Sequence, residues 1–302
     1  MTGHPATDPA IGLPPFGPFA NLTPGVGWEA ALGFDYQLAQ WSPYHISGQF
    51  RYGQNSGGSA PSSSTGIPLT LMTPSGSTTP AVVNASGSAS LDKEDHWLVD
   101  FAVGSEFALA SGNAQAKLGI RVAEIASTAN GLGTQTGTAN GLADVCTPVV
   151  SGPPICVVSP TTFPVTGNIS FQSRSQLLGV GPRLGVDGSE PLGGSWTFDY
   201  LGGIAVLFGN RSLNATQTAY ATTIAAGSLN SVTALSASST VGVFNLDAQV
   251  GISYWFTRNF KLTASYRFDG YWNALTIIEP DGTLGQQDRF CYGPMLRGTV
   301  TF

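Results

Sequence analysis

The sequence predicts an all-β chain folded as a transmembrane, antiparallel, up-and-down β-barrel of about ten strands. Three observations predict it. Apolar residues recur at every second position over stretches longer than most strands of soluble proteins. Charged residues are only 10% of the 302, against about a quarter in soluble domains, so a chain wetted on all sides would be poorly solvated. The links between alternating segments are short and long by turns. No run of about 18 uncharged apolar residues occurs, which excludes a helical membrane protein. A closed barrel remains, because in lipid every backbone polar group has to be paired within the protein.

The first segment sets the pattern. From Val26 to Leu38 the even positions are Val26, Trp28, Ala30, Leu32, Phe34, Tyr36 and Leu38, and the odd ones Gly27, Glu29, Ala31, Gly33, Asp35 and Gln37. Crossing a membrane takes about 9–11 strand residues, and this stretch exceeds that. The alternation returns in Tyr44–Tyr52, Trp97–Leu109, Leu118–Val122, Trp196–Phe208, Phe244–Phe256, Phe260–Phe268 and Tyr292–Phe302. Ser170–Val186 is also strand-like, its phase blurred by Gly179, Gly181 and Pro182. Aromatics gather near strand ends: Trp28 and Tyr36, Trp97, Trp196 and Tyr200, Tyr254 and Trp255, Tyr266, Tyr271 and Trp272. Two interfacial belts would produce this, since an amphipathic ring prefers the headgroup level.

The connections orient the chain. Short ones at 40–42, 110–113, 188–194 and 257–259 are expected to be periplasmic turns. Long ones at 53–92, 127–169, 210–239 and 273–288, rich in Gly, Ser, Thr, Ala and Pro, are expected to be extracellular loops. Any of them folding inward would narrow the mouth. The last strand then runs toward the periplasm and ends at Phe302, a terminal aromatic resembling the signal read by the barrel assembly machinery. The segments number nine, whereas single-chain bacterial barrels have an even number. The barrel domain is placed at 26–302 and an irregular segment at 1–25, where Gly12, Pro14, Pro15, Gly17 and Pro18 make a poor strand. A tenth strand is therefore expected to be missing, irregular or hidden in a loop. No basic region followed by an apolar run opens the numbering, so no signal peptide is expected within it.

The net charge of −6 and the lack of any Lys/Arg run exclude nucleic acid as a partner. Cys146 and Cys156 lie close together in a Gly- and Pro-rich stretch, with Cys291 far away. In an oxidising compartment the first two would close a disulfide; the alternative is two loop thiols. With three His, none near that pair, no metal site and no cofactor is expected. His45 and His96 sit on strand faces as hydrogen-bonding fillers rather than as bases of a hydrolase, so no catalytic residue and no enzyme is expected.

The segment Leu178–Gly209, LGVGPRLGVDGSEPLGGSWTFDYLGGIAVLFG, resembles the Legionella-type major outer-membrane protein family of pore-forming barrels. The motif lies at Gly179, Gly181, Pro182, Arg183, Gly185 and Asp187, followed by a turn and a strand from Trp196 to Gly209. GWEAALGFDYQLAQWSPYHISGQFRY resembles that family's early hairpin, which another strand usually precedes. The resemblance implies an integral protein of the bacterial outer membrane, porin-like, with no catalytic residues to carry over.

On the inward face the phase places Glu29, Asp35, Arg51, Asp100, Glu106, Lys117, Arg121, Arg183, Asp187, Asp199, Asp247, Lys261, Arg267, Asp269 and Arg297. One reading is a water-filled passage in which opposed charges select small hydrophilic solutes or ions. The others are a closed barrel, plugged by paired charges and serving as a surface or adhesion anchor, and a conduit for a hydrophobic ligand. About eight strands leave an interior just filled by side chains, but small inward residues widen the bore. The partners expected are outer-membrane lipid and lipopolysaccharide, the assembly machinery and, as porins often associate, further copies of the chain.

Overall fold

The computed structural model describes residues 24–38, 42–72, 78–108, 112–147, 155–223, 227–278 and 283–301. All regular structure in them is β: β1 (Pro24–Gln37), β2 (Tyr44–Gly57), β3 (Ser59–Met72), β4 (Thr78–Ala108), β5 (Asn113–Thr147), β6 (Ile155–Gly193), β7 (Trp196–Thr223), β8 (Gly227–Thr257), β9 (Phe260–Ile278) and β10 (Leu284–Val300). They form one antiparallel sheet in the order β1-β2-β4-β5-β6-β7-β8-β9-β10, with β3 paired to β4. β3 carries on the line of β2 beyond Gly58, so nine arms run up and down and the tenth strand is an extension, not a crossing. The expected irregular segment falls almost wholly outside the described residues, and β1 begins at Pro24. Phe302 also lies outside them.

The outward face is as the phase requires. Trp28, Leu32 and Phe34 in β1, Val99, Phe101 and Val103 in β4, and Leu118 and Ile120 in β5 are exposed. So are Leu178, Val180 and Leu184 in β6, Ile204, Val206 and Phe208 in β7, and Val250 and Ile252 in β8. An exposed apolar band is what a lipid-facing wall needs, and in such barrels it is about 25 Å tall. Aromatic pairs mark its lower rim, with Trp196 against Tyr254 at 4.8 Å and Tyr254 against Phe256 at 4.9 Å between centroids. Its upper rim has Trp28 against Tyr52 and Phe244 against Trp272. Two residues expected in the belts are not there. Tyr271 points into the lumen and is 3% exposed, and Trp255 has the phase of the inner face, with Lys261 Nζ 5.4 Å from its ring.

The described residues of the long extracellular loops are mostly strand rather than irregular chain. β5 and β6 pair without a break from Asn113↔Ser189 to Thr147↔Ile155, and β7 and β8 from Trp196↔Tyr254 to Thr223↔Gly227. Above the band many outward positions are Asn, Ser or Thr, as in Ser238 donating to Asn210 and Ser236 to Asn214. Water replaces lipid there, so the apolar half of the alternation is lost while Thr, Val and the backbone ladder keep the extended form. The two turns that fall wholly within the described residues, 194–195 and 258–259, are tight, and β6 runs on through most of the expected turn at 188–194. At 194–195 the chain reverses with Gly193 at φ 117° and Gly194 at φ 58°, a left-handed conformation that favours glycine. Pro182, unusual inside a sheet, is tolerated because the β6–β7 ladder skips Gly181 and Pro182.

The register also sets Cys146 directly opposite Cys156 near the tip of the β5–β6 hairpin. We expect denatured, unreduced protein to alkylate at Cys291 alone and reduced protein at all three cysteines; three free thiols before reduction would rule out the bridge.

Candidate functional site in the barrel interior

The sheet curls until strands from opposite ends of its order meet through side chains. Arg51 on β2 donates from Nη1 and Nη2 to both carboxylate oxygens of Asp269 on β9, at 2.6 and 3.0 Å. Arg289 on β10 reaches Glu94 on β4 at 2.6 Å. These pairs cross the lumen. The edges of β1 and β10 are not paired with each other among the described residues. Both strands run the same way, as an odd number of alternating arms requires.

The charged residues that the phase assigns to the inward face lie on the inner side, in two layers. The middle layer holds the guanidiniums of Arg51, Arg121, Arg183 and Arg267 and the carboxylates of Glu29, Asp100, Asp247 and Asp269. Arg121 is fully buried; it donates to both oxygens of Asp100 at 2.6 Å, to Asp247 at 2.9 Å and to Asn245. Asp247, also fully buried, takes Arg121, Arg183 at 3.1 Å and Arg267 at 3.5 Å. Asp269 joins Arg267 at 2.8 Å to Arg51, and Arg51 lies 3.5 Å from Glu29, which holds His96 at 3.0 Å. The fork of a guanidinium fits two carboxylate oxygens at once, which is why arginine holds this layer.

The lower layer faces the periplasm. Lys117 lies 2.9 Å from both Asp35 and Asp187, His45 bridges Asp35 at 2.7 Å and Glu106 at 3.1 Å, and Lys261 reaches Asp199 at 2.8 Å. Asp199 also accepts from Ser189 and Ser253, both at 2.6 Å. Asp35, His45, Glu106, Asp187, Asp199, Lys261 and Arg297 line a vestibule of about 250 Å³. Arg297 Nε is buried there with no hydrogen-bond partner among the described residues.

Two features were invisible in the sequence. The small inner residues do not simply widen the bore, because neighbouring arginines take the room. A Cβ on Gly203 would lie 2.7 Å from both Arg183 Nη2 and Asp247 Oδ1. Above the charges the inner wall turns apolar, with Leu98, Ala123, Ile125, Leu177, Leu207 and Val243 buried against Tyr271, Ala274 and Leu275 of β9. Glu94 and Arg289 were also missed, since Arg289 adjoins a stretch read as loop and its partner is 195 positions away.

No group of three or more potential metal ligands occurs among the described residues. Nothing among curated proteins or solved structures matches the chain. Residues 93–302 match the family described as Legionella pneumophila major outer membrane protein precursor. That match takes in β5 to β10 and the crossing part of β4, hence most of the charged lumen. With lipid-facing walls, a charged interior and this match over more than half its length, the chain belongs to the Legionella major outer membrane protein family.

Proposed function

We propose that the chain is a porin-like channel of the outer membrane, passing small hydrophilic solutes or ions through the charged column of its lumen. One observation carries this reading: charges of both signs continue from the periplasmic vestibule through the middle layer, in the part of the interior that would be cheapest to fill with apolar side chains. Replacing buried ion pairs by well-packed apolar residues is often neutral or stabilising. The layer above shows that this barrel has apolar residues to fill space with. Charge kept at mid-lumen therefore supports a passage for hydrophilic solutes over mere filling of the bore. Opposed charges order water and discriminate solutes by charge.

The second reading is a closed anchor whose tall β-hairpins act at the cell surface. It is favoured by the cross-lumen pairs Arg51–Asp269 and Arg289–Glu94. Single-channel conductance of the refolded protein in a planar bilayer separates the two. Stepwise openings are expected, with a reversal potential under a salt gradient that Asp247→Asn displaces toward anions. Silence from protein shown to be folded would leave the anchor as the better account. Outward-facing Lys93 and Arg174, above the apolar wall, are the groups we propose for contact with lipopolysaccharide phosphates.

A further inference from the structure

The upper part of β9 leaves the wall. Its ladder with β8 ends at Asn245↔Tyr271, whereas β8 runs on to Gly227 paired only with β7. In the β9–β10 ladder the register slips between Gln287↔Leu275 and Arg289↔Tyr271, which puts extra residues on β9. There Asn273 has φ 58°, the left-handed region that asparagine tolerates better than most side chains. An unequal count of this kind bends a hairpin. The bend sends it into the lumen, where Ala274 and Leu275 are fully buried against the apolar inner wall.

What holds it there is side chain, not ladder. Arg211 of β7 donates to the Asn273 carbonyl at 2.8 Å, Ser175 Oγ of β6 accepts from Thr276 N at 3.0 Å, and Arg289 pairs with Glu94. Near the top, Ile278 packs on Phe171 and Ala215. A residual cavity of about 70 Å³ separates hairpin and wall. Meanwhile the edge of β8 above Asn245 has no partner on the β9 side among the described residues. Carrying the Asn245↔Tyr271 register upward would set Leu275 beside Val241 and Ile277 beside Ser239. The hairpin thus has two seats, one in the lumen and one along the free β8 edge.

We propose that the two arms of this hairpin, 272–278 and 284–289, form a displaceable plug, closing the passage when seated in the lumen and opening it when they swing about Asn273 to extend the β8–β9 ladder. This rests on the channel reading. An element held by side chains rather than by a ladder opens at lower free energy than the wall around it, and an unpaired strand edge is a ready template for another strand.

The test ties the hairpin down. Ser175→Cys with Thr276→Cys, in a Cys291→Ser background, places thiols where the backbone of one touches the side chain of the other. The Cys291→Ser protein alone is the control, and heat-shifted migration on gels confirms folding of both. Two readings are taken, hydrogen exchange of the peptides covering 272–289 and single-channel recording. In reduced protein the hairpin amides should exchange faster than those of the β5–β6 ladder. Oxidation should slow that exchange and abolish openings, and reductant should restore both. Arg211→Ala, which removes the clamp on Asn273, should speed hairpin exchange and lengthen openings without any crosslink. Equal, slow exchange in oxidised, reduced and Arg211→Ala protein would overturn the plug. Redox-dependent exchange without current in either state would support the two seats and overturn the channel reading.

Discussion

Replacing Asp247 by alanine should cost the barrel about 3–5 kcal/mol, the range for stripping one partner from a buried ion pair. The carboxylate is fully buried and meets three guanidiniums, those of Arg121, Arg183 and Arg267. Without it Arg121 and Arg267 keep Asp100 and Asp269, but Arg183 keeps only the 3.6 Å contact with Asp100. Uncompensated positive charge would gather in the middle layer of the lumen. The measurement is the urea midpoint of folding into detergent or lipid, with Glu106→Ala at the half-exposed lower rim as comparison. The Glu106 carboxylate, half exposed, pairs with His45 at 3.1 Å and its loss should shift the midpoint little. Equal, small shifts for both would mean that water solvates the middle layer as freely as the vestibule.

Val250→Arg should be nearly as damaging, for the opposite reason. Val250 lies on the outer face of β8, midway along its exposed run from Phe244 to Phe256, and is 53% exposed. At the midplane of a bilayer an arginine on the lipid face costs about 2–4 kcal/mol, falling to about 0–1 near the interfaces. Thr240→Arg, on the same face above the band, should therefore be nearly neutral. Comparing the two in folding titrations locates the hydrocarbon boundary on β8. A cost at Thr240 equal to that at Val250 would place the membrane higher than the apolar band does.

How much was legible follows from where the signal resides. A barrel wall between lipid and a charged interior must alternate at every residue, so Val26–Leu38 or Phe244–Phe256 declare their strand and their face from residue identity alone. The inner charges were legible for the same reason: the phase that sends Val250 out sends Asp247 and Gln249 in. Above the membrane both faces meet water or one another, the apolar half of the period disappears, and hairpins such as 127–169 read as loop although their ladders are continuous. Tyr271 misled because an aromatic at a strand end belongs to the belt only while the strand stays in the wall.

The sequence by itself determined the fold class, the lipid-facing and inward faces, the sense of each crossing and the family, since all of these are set by residues within one strand and its nearest turn. The tertiary structure alone decided which charges pair, as with Arg51 and Asp269 or Glu94 and Arg289, and that the upper β9–β10 hairpin lies in the lumen. Those outcomes depend on how far the sheet curls and on where one bend at Asn273 releases β9 from β8. Neither leaves a periodic trace in the chain, because each is fixed by groups far apart in sequence that meet only once the sheet has curled around them.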